Sequence, residues 1–279
     1  VREGDVIEAV DGVTLDATTP VERALVDRGG KRVSLRVRSG DAVRTVEVTA
    51  LRDDSAAWYR AWVRANRERV HEETGGRVGY VHIPDMGPTG YADFHRDYLL
   101  ESTRDALVVD VRYNRGGHVS QLILEKLRRR PIAYNQSRWD GVTPYPAHSM
   151  VGPMVAITNE MAGSDGDIFS HAFKMYELGP LVGTRTWGGV IGIWPRARHA
   201  DGSITTQPEF SYWFEDVGFK VENYGTDPDI EVVMHPEHYG RGEDPQLDRA
   251  LACVLDALKT ADGHPDLGER PYLGAPQQT

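Results

Sequence analysis

The chain has 279 residues, enough for about two domains and a large core. Forty-two acidic against 32 basic side chains give a formal charge of −10, which excludes a strongly basic nucleic-acid binder. No stretch nears the ~20 apolar residues of a membrane span, and the single cysteine, Cys253, excludes an intramolecular disulfide or a cysteine-rich zinc site.

The first 49 residues read as β-rich. Residues 6–10 form a strand closed by the Asp11-Gly12 turn pair. Thr18-Thr19 can cap a helix over 20–27, with Pro20 in its first turn and Gly29-Gly30 as its stop. Val33, Leu35 and Val37 alternate with polar residues, and Val46 and Val48 do so beyond Gly40-Asp41, which predicts a hairpin. Residues 53–73 read as an amphipathic helix carrying Trp58, Trp62 and Val63, ended by Gly75-Gly76, with the domain boundary in or near it.

From there strands and helices alternate. Strands are expected at 78–83, 107–111, 154–158, from 181, and as an aromatic run at 210–214. Helices are expected at 89–104, 119–129, 164–178 and 245–259. This order predicts α/β layers. The Pro-, Gly- and Gln-rich tail from residue 262 is expected to be loose. Val1 stands where an initiator Met would, and the opening residues read as the middle of a domain, so a piece of a longer protein is expected.

Three segments could carry chemistry. In residues 157–169 an apolar strand runs through Ala162-Gly163 into a helix whose start is Ser164. A nucleophile fits there, because the unpaired N–H groups of a helix start can receive its oxyanion. An ordinary N-cap serine, with Asp167 three residues on as its capping partner, fits as well. In residues 110–118, Gly116-Gly117 after a buried strand is either a plain turn or a backbone shaped for close ligand approach. Glu222, before the turn of residues 223–229, is a solvated charge unless it meets the other two segments.

Residues 163–167 (GSDGD), 185–189 (RTWGG), 207–210 (QPEF) and 222–229 (ENYGTDPD) together resemble the C-terminal region of the tricorn-type serine peptidases. These belong with the tail-specific, or C-terminal-processing, peptidases of family S41. Residues 3–7 with Asp11-Gly12 resemble the latter part of a PDZ domain. The resemblance implies an α/β sandwich protease core at 77–261, preceded by a partial, β-rich PDZ-like domain at 1–52 and a helical connector at 53–76, with the tail at 262–279.

The resemblance further implies that Ser164 is the nucleophile, that the N–H groups of Gly117 and Asp165 form the oxyanion hole, and that Glu222 is the acidic member of the charge relay. Gly116, Asn135 and Asp140 are the expected substrate contacts: Asn135 stands where the family places an S1 aspartate, and Asp140 is the acid that could compensate. No metal or cofactor is implied. The partners implied are peptides and, in the whole protein, identical subunits (a hexamer in the family), with no nucleic acid and no membrane, in the cytoplasm.

The family's histidine base lies ahead of its PDZ domain, so the isolated chain is expected to be nearly inactive. His118 and His171 are the candidates here for a substitute base, and Lys174 is the candidate for a Ser-Lys dyad. The alternative from another class is a peptide-binding module without chemistry.

Overall fold

The computed structural model describes residues 1–268 apart from Arg138, Asp140 and the side chain of Pro195, so most of the expected loose tail lies outside the described residues. The chain divides into two compact units, Val1–Arg64 and Ala65–Thr279.

The first unit is a four-stranded antiparallel sheet in the order β2-β1-β3-β4, built from β1 (Val6–Val10), β2 (Val13–Thr14), β3 (Arg32–Ser39) and β4 (Ala42–Thr49). Two-residue turns at Asp11-Gly12 and Gly40-Asp41 join its hairpins, as the sequence predicts. Alternation buries Val33, Leu35 and Val37 with Val10 on one face. The expected helix over 20–27 is only a four-residue turn, α1 (Val21–Ala24). Thr18 and Thr19 do not cap it. Both donate their N–H groups to Asp16 Oδ1, and extended Pro20 is the cap. The helix α2 (Ser55–Glu73) runs through the division between the units.

The second unit is built on five parallel strands: β5 (Val78–His82), β6 (Ala106–Asp110), β9 (Met154–Thr158), β10 (Leu181–Gly183) and β13 (Ile230–Glu231). They lie in the order β13-β10-β9-β6-β5. Four of them, β5, β6, β9 and β10, are buried at every residue, which is why they read as largely apolar runs rather than as alternations. The helices between them are α3 (Pro88–Glu101), α4 (Ser120–Leu127) and α5 (Asp165–Met175). Their Phe94, Tyr98, Ile123, Leu127, Phe169 and Phe173 share a core with Leu107, Val109, Ala156 and Leu181 of the sheet. After α6 (Pro236–Arg241), α7 (Pro245–Ala257) buries Leu247, Ala250, Leu251 and Val254, one helical stripe, and packs on β6, β9 and β10.

Two antiparallel hairpins interrupt the layers: β7 (Ala133–Gln136) with β8 (Val142–Tyr145), and β11 (Gly192–Arg198) with β12 (Ile204–Phe210). Neither is anticipated from sequence. The expected strand at 210–214 is displaced: pairing with β11 ends at Phe210, and Phe214 instead forms an isolated bridge with Gly218. Because the core strands are parallel, the turns after β6 and β9 emerge side by side at one edge of the sheet.

Candidate active site

The turn after β9 is built by Asn159, whose side-chain oxygen accepts from the N–H groups of Tyr113 (2.9 Å) and Met161 (3.2 Å). Gly163 N–H donates to the Asn114 carbonyl at 3.0 Å, tying this turn to the one after β6. Ser164 then opens α5 at φ 56°, ψ −120°, a backbone conformation rare for a residue with a Cβ. Its hydroxyl makes no capping hydrogen bond, so the reading of Ser164 as a simple N-cap is overturned. Asp167 does not serve the serine hydroxyl either. Its buried carboxylate accepts from the N–H groups of Gly188 (2.8 Å) and Gly189 (3.2 Å). Burial nevertheless leaves this carboxyl above its ordinary pKa, the surrounding donors only partly offsetting the loss of water.

The turn after β6 is held from both sides. Asn114 donates to the Ile83 carbonyl (2.7 Å) and accepts from Gly116 N–H (2.9 Å), while Met86 exchanges backbone bonds with Gly116 and His118. Behind it, Arg112 and Asp110 form a buried pair, with Arg112 Nη2 2.7 Å from Asp110 Oδ2 and Nη1 2.9 Å from Asp244 Oδ1.

Both glycines are required by contact. A Cβ on Gly116, at φ 75°, would stand 2.6 Å from the Ser164 Cβ and 3.1 Å from its Oγ. On Gly117 it would stand 2.0 Å from the Met86 carbonyl oxygen. The two turns therefore abut at Ser164. Among the described residues, neither Gly117 N–H nor Asp165 N–H donates to any group. The Asp165 carboxylate is turned away and accepts from the N–H and hydroxyl of Ser120, fixing the start of α5 to the start of α4.

Glu222 stands on a third turn, in which Asn223 N–H donates to the Gly188 carbonyl at 2.7 Å, and it lines the cavity of His171 and not that of Ser164. Glu222 Oε2 accepts from the N–H groups of Val190 (2.6 Å) and Ile191 (2.9 Å). Those two residues, with Ser164, Gly117, His118 and Ile193, line a cavity of about 110 Å³ completed by Ile168, Gly192, Phe210 and Tyr212. Sequence reasoning missed this β11–β12 wall. Its signal was the apolar run 190–193 after Gly188-Gly189 and the aromatic alternation from Phe210. It also missed the reach of Asp167, read only as a capping partner.

The other candidates are placed elsewhere. Asn135 lies on exposed β7 opposite Thr143 and is not part of the cavity wall, and Asp140 lies outside the described residues. His118 is in the wall, stacked on Trp194 with ring centroids 4.4 Å apart. His171 points away, 3.1 Å from Asp216 Oδ1, into a separate cavity of about 710 Å³. Lys174 is engaged by Asp229 Oδ1 (2.9 Å) and the Asp227 carbonyl (2.8 Å), which removes the Ser-Lys dyad. Among the described residues no group of three or more His, Cys, Asp or Glu side chains could hold a metal ion, and no helix is long and apolar enough to cross a membrane.

Peptidase family S41 matches residues 77–232, and the tricorn protease PDZ domain matches residues 1–53. The tricorn protease of Thermoplasma volcanium is 50 % identical over 257 residues, 92 % of this chain and 25 % of its own length. Tricorn protease homolog 1 of Streptomyces coelicolor is 49 % identical over 93 % of this chain and 24 % of its own. The chain thus spans about a quarter of the length of these curated relatives. A crystal structure of the tricorn protease superposes with a TM-score of 0.89 at 48 % identity, over 92 % of this chain and 25 % of the other. Mature CPAF complexed with lactacystin, at 16 % identity and a TM-score of 0.51 over 93 % of this chain and 79 % of that one, shares the fold.

Proposed function

The chain belongs to peptidase family S41, and from that premise we propose that Ser164 is the nucleophile of a serine peptidase whose oxyanion hole is the pair of N–H groups on Gly117 and Asp165. The observation that carries this reading is the junction of the two turns: a serine held at φ 56° without a cap bond, beside two N–H groups that donate to nothing among the described residues. Ser164 Oγ adds to the scissile carbonyl carbon. The carbonyl oxygen becomes an oxyanion and accepts from both N–H groups, which were in place beforehand and need no rearrangement. Collapse expels the amine and leaves an acyl-enzyme on Ser164, which water hydrolyses.

The proton of Ser164 needs a base. The resemblance assigns it to a histidine outside these 279 residues, with Glu222 helping to hold it, and Asp167 and Glu222 fix the backbone on which that pairing would occur. The same resemblance supports the reading of the whole protein as a cytoplasmic homo-oligomer acting on peptides. Fluorophosphonate labelling and hydrolysis of a fluorogenic peptide series by the complete protein test this. The label maps to Ser164, and Ser164→Ala abolishes both signals. Hydrolysis that survives Ser164→Ala overturns the assignment. On this reading the 279 residues alone label slowly, and the base-bearing segment restores the rate.

A further inference from the structure

Asp167 stands three residues beyond Ser164, wholly buried, and touches neither the cavity nor the serine hydroxyl. From the first turn of α5 its carboxylate accepts from the N–H groups of Gly188 (2.8 Å) and Gly189 (3.2 Å), both in the segment between β10 and β11.

That segment continues directly into Val190 and Ile191, whose N–H groups hold Glu222. It is also fixed by Trp187 N–H to the Ala162 carbonyl (2.9 Å) and by the Gly188 carbonyl, which accepts from Asn223. The contacts of Asp167 therefore join the first turn of α5, just past the residue with the strained backbone, to the segment whose next two N–H groups hold the acidic group. Ordinary helix capping needs neither donor.

Resting on the reading of Ser164 as nucleophile, we infer that Asp167 is a positioning residue that pins the first turn of α5, and so Ser164 at its start, to the Gly188–Gly189 segment, and through that segment sets the position of Glu222.

The chemistry of the side chain separates this role from plain structural support. Asn in place of Asp keeps the shape but presents one acceptor oxygen and an amide that faces N–H donors. One of the two bonds is lost and one donor meets another donor. A reacting group displaced by about 1 Å commonly costs on the order of 100-fold in rate. Burial holds the Asp167 carboxyl above its ordinary pKa, so the neutral side chain relieves a buried charge and compensates the fold for part of the lost bonding. Asp167→Asn should therefore cut the rate of fluorophosphonate labelling at Ser164 by about 100-fold while thermal unfolding stays within a few degrees of wild type. A labelling rate within about threefold of wild type overturns the inference, and so does a loss that disappears once the folded fraction is corrected for.

The second measurement needs no variant. Amide hydrogen exchange in the wild-type protein reads the Gly188 and Gly189 N–H groups. If one carboxylate holds both, their protection falls together as the solution is taken from about pH 7 to about pH 4 and Asp167 is protonated, while protection in β6 and β9 persists. Protection that is unchanged, or that fails at the two amides independently, overturns the inference. A wild type that never labels at Ser164 counts against the peptidase reading. The exchange measurement then decides the role of Asp167 as a lock by itself.

Discussion

Replacing Arg112 by Met should unfold the second unit far more easily, and the loss should depend on pH. Arg112 and Asp110 are 2 % and 0 % exposed, and Asp110 receives both Arg112 Nη2 (2.7 Å) and the Tyr80 hydroxyl (2.8 Å). Methionine fills a similar length and removes the charge, leaving Asp110 and Asp244 without their shared counter-ion. Breaking a buried pair in this way costs about 3–5 kcal/mol. At about 2–4 °C per kcal/mol for a unit of this size, the melting temperature should fall by roughly 6–20 °C.

The sign with pH follows from Asp110. Burial pushes its carboxyl up, but the adjoining Arg112 outweighs burial and holds it below the ordinary value. Its contribution is thus present above the unfolded carboxyl pKa, near 4, and is lost as pH falls through the folded value. Without Arg112 the largest opposing influence on Asp110 is gone and burial prevails, so the carboxyl rises and the deficit is largest near pH 7. Below about pH 4 the carboxyl is protonated in both states and the deficit shrinks. Urea unfolding of wild type and Arg112→Met near pH 7 and near pH 4 measures both. A loss under about 1 kcal/mol at pH 7, or an equal loss at the two pH values, refutes the argument. The double variant Asp110→Asn/Arg112→Met should recover part of the loss, since no buried carboxylate is then left at position 110.

Gly116→Ala should cut Ser164 labelling by about 100-fold, because its Cβ would stand 2.6 Å from that of Ser164. The same variant should cost about 2–4 kcal/mol in denaturant unfolding from its positive φ and overpacking, and a wild-type labelling rate would contradict it. Lys174→Ala should leave labelling within about twofold of wild type, since its ammonium is engaged by Asp229 and Asp227; a large loss would return lysine to the mechanism. The cavity beside Ser164 is about 110 Å³ and walled by Ile168, Val190, Ile191 and Ile193. Peptides with a small aliphatic residue on the acyl side of the scissile bond should therefore exceed those with Arg by at least about tenfold in kcat/KM, and the reverse order would show that another surface selects that residue.

The parts that were legible share a physical cause. Residues 6–10 and 154–158 form strands with the bounds expected: 154–158 is buried at every residue, and 6–10, buried at Ala9 and Val10, is ended by its Asp11-Gly12 turn. The helix α7 was read with its start in place and its end two residues past the observed Ala257. The hairpins β7–β8 and β11–β12 left weaker marks. They lie outside the parallel sheet, and most of β12 is exposed, so no single face had to be apolar. At the site, the strand, small-residue turn and helix start around Ser164 could be read locally, as could the paired glycines. What joins them could not. Glu222 meets Val190 and Ile191 across more than 30 residues of chain, and Asp167 meets Gly188 across 21, through backbone N–H groups that every residue but proline carries. A resemblance across several motifs supplied Glu222. Nothing in the spacing supplied the reach of Asp167, whose acid three residues past a serine is also the signature of an ordinary cap.

The backbone of Ser164 carries one more consequence, for the residue that would replace it if the chemistry were abandoned. At φ 56°, ψ −120° any side chain with a Cβ is under strain, and alanine inherits that strain in full. Glycine does not. A dead variant made as Ser164→Gly should melt higher than Ser164→Ala, which makes it the better vessel for trapping an uncleaved peptide. In a lineage released from the need to cleave, drift at this position has a downhill direction, and glycine at 164 in an otherwise intact chain would mark a relative that kept the fold and let the reaction go.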